Sequence, residues 1–321
     1  MDIVGVGLNA TDTLIPVSRY PASGSKVEFR SASVLPGGQV ASAMVACQTW
    51  GLSARYVGKL GDDPAADLHR AEFAKAGVEA HLMTAPGCPS QQAFILVEDS
   101  GERTVLWKRD ERLTLRPEDL KREWIADARA LHVDGHDTAA AIAAARWARG
   151  AGIPVVADLD ELYPGIEGLL DKVDYLIVSR DIPERLTGTS DLTQSLPRVQ
   201  QRFGCVLAAA TLGPNGVIAY QEHGFCYRPA FRVEVLDTTG AGDIFHAGFI
   251  YGLLQGWPLE QTLEFGCAAA ALNCTGTGAR GGIRPVADIE RLMAAGARHP
   301  SEFDFSADVP NGAASVPLLV K

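Results

Sequence analysis

The stretch DTTGAGDIFHAG, residues 237–248, joins a glycine-rich turn to the start of an apolar helix. Apolar side chains recur at helical spacing from Ile244 onward, so the sequence predicts a helix there. Yet Gly240 and Gly242 stand at its beginning, and each costs a helix about 1 kcal/mol relative to Ala. Asp243 follows directly. A simple helix cap explains the carboxylate, which the positive end of the helix dipole favours, but it does not explain the glycines.

A phosphate cradle explains the whole turn. Gly240, Ala241 and Gly242 leave their backbone N–H groups unobstructed, so the turn can hold a migrating phosphoryl group. Asp243 stands beside it, where a carboxylate can accept a proton from an attacking hydroxyl. We therefore expect an anion hole formed by the three small residues, with Asp243 as the catalytic base.

The composition is that of an ordinary globular protein. The chain has 321 residues, of which 47% are apolar, enough for one large domain or a main domain with an appendage. Its net charge of −10, without a basic stretch, argues against a nucleic-acid partner. Six cysteines form no C-x-x-C pair, and the chain shows neither a signal peptide nor an 18-residue apolar run. We expect a cytoplasmic protein with reduced thiols and no membrane partner.

Short apolar runs alternate with helical patterns along most of the chain. The apolar runs DIVGVG, ARYVG, RALHVD, PVVAD, YLIVS and VLAAAT predict buried strands. The stretches AADLHRAEFAKAG, DTAAAIAAARWARG and LTQSLPRVQQRFG predict helices. This alternation predicts an α/β fold of three layers, with a mostly parallel central sheet covered by helices on both faces.

Two stretches depart from the alternation and predict an accessory antiparallel sheet. Residues 11–35 alternate polar with apolar side chains around Pro16 and Pro21, and residues 91–108 form two β-rich runs around an Asp-Ser-Gly turn. We expect a single domain over residues 1–321 with lid segments at about 12–35 and 90–110. An uncovered apolar lid face favours a homodimer formed through the lid sheets. The tail, residues 300–321, has no periodicity, and its role stays open.

The first of two further glycine clusters, Gly5-Val-Gly7-Leu-Asn-Ala10, matches G-x-G-x-x-A after a strand. A dinucleotide fold needs a helix at that point, and the prolines and the β-like alternation that follow argue against one. The strand instead leads into the lid and brings Asn9 and Asp12 to a site at its carboxyl end.

The second cluster is Pro36-Gly37-Gly38, before a predicted helix. A turn with a cap accounts for it, and so does the close approach of ligand hydroxyls to bare backbone N–H groups. In the second interpretation Gln39 and Ser42 add side-chain hydrogen bonds.

Together these motifs resemble the ribokinase-like, or PfkB, family of carbohydrate kinases. Residues 237–243, DTTGAGD, resemble its carboxy-terminal signature, and Pro36-Gly37-Gly38 with VGKLGDD at 57–63 resembles its amino-terminal signature. The resemblance covers roughly residues 2–295. Within the family, YLIVSRDIPERLTG at 175–188 and the Thr11-Asp12 pair resemble ketohexokinases and related ketose kinases. The resemblance implies transfer of a phosphoryl group from MgATP to a hydroxyl of a small sugar.

The resemblance also implies roles for individual residues. Asp243 matches the base, and Gly240, Ala241 and Gly242 match the anion hole. The positions that match the sugar pocket are Asp12, Gly37, Gly38, Gln39 and Ser42. The positions that match the nucleotide site are Arg103, Ser179, Thr211, Gly213, Asn215, Gly216, Cys267 and Asn273. Asp237 and Thr239 resemble a monovalent-cation loop, which adds K⁺ to ATP and Mg²⁺ among the expected cofactors.

Two departures from the family pattern bear on the chemistry. Ser42 stands where many members have Asn in the pocket helix, so hydroxyl recognition there is altered. Ser179 and Ile182 stand where many members have N-x-x-E near the magnesium, and Glu184 follows two positions later. We expect Glu184 to hold magnesium through water. No G-x-x-x-x-G-K-[ST] motif occurs, so the chain is not a P-loop enzyme.

Other interpretations remain open at this stage. His132, Asp134 and His136 have period-2 spacing, which suits a metal-dependent hydrolase or a strand end that faces the cleft. The chain could be a nucleoside or sugar-acid kinase, or a non-catalytic sugar-binding relative, since fold alone does not choose a substrate. The basic lid residues Lys26, Arg103, Lys108 and Arg109 either meet an anionic sugar or are exposed charges. We interpret His246 as a packed helix residue.

Overall fold

The computed structural model describes residues 1–221 and 224–305. Its main sheet has nine strands, in the order β13-β12-β11-β10-β9-β8-β1-β4-β5. These strands are β1 (Ile3–Val6), β4 (Ala54–Leu60), β5 (Glu79–Thr84), β8 (Ala130–Val133), β9 (Val155–Leu159), β10 (Tyr175–Ser179), β11 (Leu207–Thr211), β12 (Val217–Gln221) and β13 (Gly224–Arg228). The six predicted strands are confirmed as β1, β4, β8, β9, β10 and β11.

The strands from β11 to β5 in this order run parallel, and β12 and β13 add an antiparallel edge. Parallel strands need helical crossovers, which explains the alternation of apolar runs and helical patterns in the sequence. The central strands are buried on both faces, as their continuous apolar composition requires.

Helices cover both faces of this sheet, as the alternation predicted. Their bounds are α1 (Gln39–Thr49), α2 (Pro64–Ala76), α3 (Glu123–Ala126), α4 (Thr138–Gly150), α5 (Glu167–Leu170), α6 (Ile182–Thr187), α7 (Leu192–Phe203), α8 (Ala241–Gln255), α9 (Leu259–Asn273) and α10 (Val286–Ala295). One apolar core lies between the sheet and α1, α8 and α9, and a second lies between the opposite face and α4 and α7. The three-layer α/β prediction is confirmed.

Local signals set the helix ends where the sequence showed them. The side chain of Asp63 accepts a hydrogen bond from the backbone N–H of Ala66 at 3.0 Å, and Pro64 occupies the first turn. Gly77 ends α2 with φ of 76°, in the left-handed region that favours glycine. The cap, proline and stop predicted for this helix are therefore all present.

The lid is a separate sheet of four strands, in the order β3-β2-β6-β7. Its strands are β2 (Ala10–Val17), β3 (Ser33–Gly37), β6 (Gln92–Glu98) and β7 (Arg103–Lys108). The prediction of an antiparallel sheet is correct for β2–β3 and β6–β7, but β2 and β6 pair in parallel. The reason is topological: both segments leave the main sheet after a parallel strand, β1 or β5, and so point the same way.

The two faces of the lid differ in their surroundings. Asp12, Ala93 and Trp107 lie opposite one another across β2, β6 and β7, on the face that meets the main domain. Phe94 and Leu106 lie opposite each other on the other face, where 49% and 56% of their surfaces are exposed. The lid therefore lines a cleft with one face and presents large apolar side chains to the outside with the other.

The beginning of the tail packs on the main domain. The rings of Phe303 and Phe305 stack, and they contact Tyr227 and Phe225 of β13 respectively. Residues 306–321, the rest of the tail, lie outside the described residues. Over residues 1–221 and 224–305, no helix combines the length and the apolar character needed to cross a membrane.

Candidate active site

A cavity of about 250 Å³ lies between the lid and the carboxyl ends of the parallel strands. Open α/β sheets bind their ligands at this edge. The lid contributes Asp12, Ala93, Ile95, Arg103, Val105 and Trp107 to its walls. The main domain contributes Gly38, Gln39, His136, Asp158, Asp160, Tyr163, Ser179, Thr211, Thr239, Gly240, Gly242, Asp243, His246 and Ala279, among others. The cavity thus brings together the predicted catalytic turn, part of the predicted sugar pocket and part of the predicted nucleotide site.

The glycines that begin α8 have different reasons for being glycine. Gly240 has φ of 75°, and a Cβ there would lie 2.4 Å from the carbonyl oxygen of Ala279. Gly242 has no such constraint, because a Cβ there would meet no atom within 4 Å. A Cβ at this position would point into the cavity, so nothing in the described protein requires glycine there.

The first backbone N–H groups of α8 point to an anion site. The N–H of Ala241 donates to the carbonyl oxygen of Thr238, whereas within the described residues that of Gly242 has no acceptor and that of Asp243 has only its own carboxylate. Unpaired N–H groups at the positive end of a helix bind anions. The predicted anion hole therefore has a free donor at Gly242, within the described residues.

Asp243 begins α8 with its carboxylate on the cavity wall. Burial raises its pKa to about 6; the positive charges of Arg103 and Arg280 act against that rise, and Asp160 adds to it. A carboxylate with this pKa is mostly ionised near neutral pH and is still basic enough to take a proton. Its position and its protonation state both suit a general base.

Asp12 reaches the same cavity from β2 of the lid. It is 5% exposed, and burial together with the negative charge of Asp243 raises its pKa to about 7. The chain approaches it closely: a Cβ on Gly37 would lie 2.0 Å from its Oδ2, and one on Gly38 would lie 2.4 Å from the Cα of Asn9. Both glycines of the second cluster are therefore needed to bring β2, β3 and α1 together.

The helix that follows this cluster, α1, contributes to the site in a way that the sequence did not predict. Gln39 lines the cavity and donates hydrogen bonds to Asp158 and Asp160. Ser42 is fully buried, and its Oγ accepts a hydrogen bond from Nε of Arg280 at 3.2 Å. Ser42 is not among the residues that line the cavity, so its contact with the site runs through Arg280.

Arg280 was not singled out in the sequence. Besides Ser42, it donates to the carbonyl oxygen of Gly37 at 3.0 Å and lies over the ring of Phe73. Its positive charge lowers the pKa of Asp12 and opposes the effect of burial. Burial also lowers the pKa of Arg280 itself, to about 10, which leaves it charged at neutral pH.

The residues predicted to bind the nucleotide lie at the other end of the cavity. Ser179 and Thr211, the last residues of β10 and β11, line the wall. Arg103 of the lid donates to the carbonyl oxygen of Thr238 at 3.0 Å, directly before the anion hole. The turn with Gly213, Asn215 and Gly216 follows Thr211 without lining the cavity.

The other predicted nucleotide residues are packed inside the protein. The Sγ of Cys267 faces the carbonyl oxygen of Arg228 at 3.9 Å. The side chain of Asn273 donates to the carbonyl oxygens of Thr239 and Ala279 and accepts from the N–H of Gly282. Asn273 therefore fastens the loop that packs on Gly240, and any contact with the nucleotide is an additional role.

The predicted monovalent-cation loop is assembled beside the anion hole. The carboxylate of Asp237 accepts hydrogen bonds from the N–H groups of Thr239 at 2.9 Å and Gly278 at 2.7 Å. Within the described residues, the buried Oγ1 of Thr239 has no hydrogen-bond partner. An unpaired buried hydroxyl beside a carboxylate suits a cation, although Asp237 also holds the loop by itself.

The predicted magnesium residue lies elsewhere. Glu184 is exposed on α6 and is not among the residues that line the cavity. Two carboxylates that the sequence reasoning missed, Asp158 and Asp160, stand at the carboxyl end of β9 and do line it. Burial raises the pKa of Asp158 well above its usual range and also raises that of Asp160. Their signal was available, because Asp158 ends the predicted parallel strand PVVAD and Asp160 follows it two positions later.

The geometry does not support the hydrolase alternative. His132 is buried with its ring 5.9 Å from that of His246, Asp134 accepts hydrogen bonds from the N–H groups of Leu8 and His136, and His136 bonds to the hydroxyl of Tyr163. Among the described residues, no group of three or more His, Cys, Asp or Glu side chains can hold a metal ion by itself. The strand-end interpretation fits, since His136 lines the cavity.

His246 is packed, as expected, but it also lies under the anion hole. Burial lowers its pKa to about 4, so the ring is neutral at physiological pH. Its Nδ1 lies 2.8 Å from the carbonyl oxygen of Gly242, and its Nε2 lies 3.3 Å from that of Ile177. The ring therefore supports the first turn of α8 from below.

An aromatic wall closes the end of the cavity away from Thr211. Trp107 of the lid and His136 form an edge contact with ring centroids 6.0 Å apart, and Tyr163 contacts the other side of His136 at 4.8 Å. None of these rings was predicted to bind a ligand. Rings with polar tips are suited to a ligand that has both apolar and hydroxyl-bearing faces.

The basic lid residues are separated by the structure. Arg103 lines the cavity, whereas Lys26, Lys108 and Arg109 do not. Arg109 forms a buried ion pair with Asp137 at 2.7 Å. Of the four, only Arg103 is therefore placed to meet a ligand, at the anion-hole end of the cavity.

Comparisons with known proteins identify the family of this chain. The model of the pfkB family carbohydrate kinases matches residues 3–285. An ATP-dependent ribose-1-phosphate kinase from Halopiger xanaduensis is 29% identical, with 86% of this chain and 92% of that protein covered. A 5-dehydro-2-deoxygluconokinase from Bacillus subtilis is 28% identical, with 92% and 96% covered. An acarbose 7(IV)-phosphotransferase from Actinoplanes sp. is 30% identical, with 88% and 94% covered.

Solved structures share the whole fold. A crystal structure from Agrobacterium tumefaciens, assigned provisionally as a ribokinase, has a TM-score of 0.84 at 28% identity, with 91% of this chain and 97% of that chain covered. Arabidopsis thaliana ribokinase, in complex with ribose and ATP, has a TM-score of 0.77 at 23% identity, with 92% and 99% covered. With the family model matched over most of its length, the chain belongs to the pfkB family of carbohydrate kinases and is a phosphotransferase that acts on an alcohol group.

Proposed function

We propose that this chain transfers the γ-phosphoryl group of ATP to a hydroxyl of a small neutral sugar, with a ketose-like substrate favoured. The observation that carries the proposal is the start of α8. There, the unpaired N–H group of Gly242, the open side of this residue and the carboxylate of Asp243 meet in one cavity. An unpaired donor suits a phosphoryl group, and the adjacent carboxylate suits the hydroxyl that attacks it.

The proposed chemistry needs little from the base before the reaction begins. The transition state of phosphoryl transfer is loose, so the sugar proton can leave late and move to Asp243. Alignment of the two substrates and charge stabilisation then provide most of the acceleration. A base of this kind contributes about 10²- to 10⁴-fold, and one anion-hole donor contributes about 10²- to 10³-fold.

The charges of the cavity support a neutral acceptor. Asp12 and Asp160 line it together with Asp243, while Arg103 is tied to Thr238 beside the anion hole. Names such as ribose-1-phosphate kinase and 5-dehydro-2-deoxygluconokinase describe relatives with other acceptors. An anionic acceptor would meet carboxylates at the lid end, where the nearby cation, Arg280, does not line the cavity. The ketose preference rests on the sequence resemblance at Thr11-Asp12 and residues 175–188.

We place the nucleotide at the Ser179–Thr211 end and the sugar between Asp12 and the aromatic wall. Arg103 is suited to the ATP phosphates, and the turn at Gly213–Gly216 to the rest of the nucleotide. Mg²⁺ would offset the negative charge of the ATP phosphates. K⁺ fits the loop of Asp237 and Thr239, because the Thr239 hydroxyl has no other partner within the described residues.

We also propose that two copies associate through the outer faces of their lids. Val34, Phe94 and Leu106 lie in one row across β3, β6 and β7, joined by Thr13 of β2. Each of the three is about half exposed or more. An apolar row of this kind at the surface suits a second copy of the same sheet.

A screen for ADP release tests the enzymatic proposal. Wild-type protein is assayed with MgATP against ketoses, aldoses, sugar acids, sugar phosphates and nucleosides, beside Asp243→Ala and the exposed control Asp171→Asn. We expect turnover with a neutral sugar, its loss in Asp243→Ala with ATP and sugar binding retained, and no change in the control. Near-normal turnover by Asp243→Ala would remove Asp243 from the mechanism. Binding of sugars without ADP formation by the wild type would instead favour the non-catalytic alternative.

A further inference from the structure

We propose that this chain holds the magnesium ion of MgATP through Asp158 and Asp160, at the carboxyl end of β9, in place of a glutamate that follows β10. The inference rests on the proposed use of MgATP and assigns a metal site to residues that sequence reasoning did not consider. It concerns which carboxylates meet the metal–nucleotide complex, and so it can fail while the kinase activity stands.

The position of β9 in the sheet carries the first part of the argument. Along the edge where the strands end, β9 lies next to β10, whose last residue is Ser179, and β10 lies next to β11, which ends at Thr211. Asp158 and Asp160 therefore stand one strand away from the proposed nucleotide end. The first turn of α8, with Asp243, lines the same cavity. Phosphates between Thr211 and the anion hole would lie next to these two carboxylates.

The second observation is an unpartnered oxygen. Asp158 is only 5% exposed, yet it lines the cavity, and among the described residues its Oδ2 has no hydrogen-bond partner. Nδ1 of His246 lies 3.3 Å from this oxygen. That nitrogen is closer to the carbonyl oxygen of Gly242, at 2.8 Å, which competes with Asp158 for any proton on Nδ1. A buried carboxylate oxygen without a donor is a site that a cation can complete.

The local balance of charge points the same way. Asp158, Asp160 and Asp243 lie close enough to interact electrostatically, and Gln39 is the neutral side chain that donates to the first two. Phosphates brought beside them would add more negative charge. Mg²⁺ needs only one or two protein carboxylates, because phosphate oxygens and water supply its other ligands. The absence of a three-residue metal cluster in the described part of the chain is compatible with such a site.

The glutamate suggested by the sequence is in the wrong place for this role. Glu184 is exposed on α6, outside the cavity, and Ser179 offers only a hydroxyl at the end of β10. The departure from N-x-x-E therefore coincides with acidic residues on the adjacent strand. We infer that the metal site has moved by one strand in the sheet, not that it has been lost.

The experiment measures nucleotide binding with and without metal, so it does not depend on turnover. Isothermal titration gives the Kd of the non-hydrolysable analogue AMPPNP in EDTA and in excess Mg²⁺, and their ratio is the enhancement of binding by metal. In Asp160→Asn we expect this enhancement to fall by roughly 10- to 100-fold. We also expect metal-free AMPPNP to bind the variant more tightly than it binds wild type, because one repelling charge is removed.

Glu184→Gln is the matched control, and we expect its enhancement to equal that of wild type. An unchanged ratio in Asp160→Asn, or a lost ratio in Glu184→Gln, would overturn the proposal. A rise in the sugar Kd of Asp160→Asn with an unchanged metal ratio would assign Asp160 to the acceptor and overturn it as well. If Asp160→Asn does not fold by circular dichroism, Asp158→Asn is measured in the same way, with the same expected loss.

Electron paramagnetic resonance of Mn²⁺ gives an independent measurement. Free Mn²⁺ loses its signal on binding, so a titration of the enzyme–AMPPNP complex counts the bound ion directly. We expect one tight ion in wild type and in Glu184→Gln, and at least tenfold weaker binding in Asp160→Asn. Equal Mn²⁺ affinity in all three proteins would contradict the proposed ligands.

Discussion

A Cβ atom on Gly240 would lie 2.4 Å from the carbonyl oxygen of Ala279, so the loop that ends in Ala279 sets the shape of the turn before α8. Two residues later the situation is reversed, because a Cβ on Gly242 would point into open space. The two glycines of one motif are therefore required for different reasons. Gly240 is required by the protein, and we infer that Gly242 is required by what the protein binds.

This difference gives a prediction in which stability and activity change in opposite directions. Gly242→Ala should stabilise the fold by up to about 1 kcal/mol, the helix advantage of Ala over Gly. Its methyl group fills the phosphoryl site, and turnover should fall by about 10²- to 10³-fold, as for a lost anion-hole donor. Thermal unfolding and the ADP-release assay measure the two effects.

Gly150→Ala is the control for this variant. Gly150 also lies in a helix, α4, and a Cβ there also meets nothing within 4 Å, but it is far from the cavity. It should gain similar stability and keep full activity. If Gly242→Ala kept wild-type turnover as well, the turn would not be an anion hole.

The pH dependence should reflect Asp243 and its neighbour Arg103. Asp243 must be ionised to accept a proton, and its pKa is about 6, so kcat/KM should fall as the pH drops through that value. The positive charge of Arg103 lowers this pKa against the effects of burial and of Asp160. Arg103→Met removes it, and the acid limb of the profile should move to higher pH. The exposed control Arg149→Met should leave the limb in place, and a shift to lower pH in Arg103→Met would contradict the assignment.

Arg280 should affect the sugar and not the nucleotide. Its guanidinium contacts Gly37 and Ser42, and its charge favours the ionised form of Asp12. Arg280→Met keeps most of the side-chain volume but loses the donors and the charge. We expect the KM for the sugar to rise about tenfold, a free-energy change of about 1.4 kcal/mol, with the KM for ATP unchanged.

Arg280→Lys provides the matched comparison. Lysine restores the charge without the planar fork, so it should recover only part of the sugar affinity. An equal rise in both KM values would instead indicate that Arg280 only maintains the fold.

The lid should mediate self-association. Phe94→Asp places a charge in the apolar row of Val34, Phe94 and Leu106, and it should shift the protein from dimer to monomer in sedimentation velocity. The control is Val206→Asp, which places a charge on a residue that is 38% exposed away from the lid. A wild-type protein that sediments as a monomer would remove the proposed interface.

Much of the fold could be predicted from the sequence, because local sequence features determine many of its helices and strands. A continuous apolar run marked the strand that ends at Val133. A capping aspartate and a terminal glycine marked the helix Pro64–Ala76. The proposed catalytic turn could be recognised for the opposite reason, since its glycines are unfavourable in the helix that they begin. Local patterns of both kinds can be recognised in a single sequence without knowledge of tertiary contacts.

The parts that were missed depend on contacts between distant segments. Arg280 matters because its loop returns to Gly37, 243 positions away, which no local pattern indicates. The parallel pairing of β2 with β6 depends on where two lid segments leave the main sheet. Asp158 and Asp160 are different, because their position at the end of a predicted parallel strand is visible in the sequence.

Side chains in the lid strands point alternately into the cavity and to the outside of the protein. On β6 and β7 the odd-numbered residues Ala93, Ile95, Val105 and Trp107 line the cavity, and the even-numbered Phe94 and Leu106 face outward. Acceptor preference and self-association can therefore change independently by single substitutions. An insertion or deletion of one residue would exchange the two sets, because it turns every following side chain to the opposite face. Variation in these two strands should consequently consist of substitutions at a fixed length.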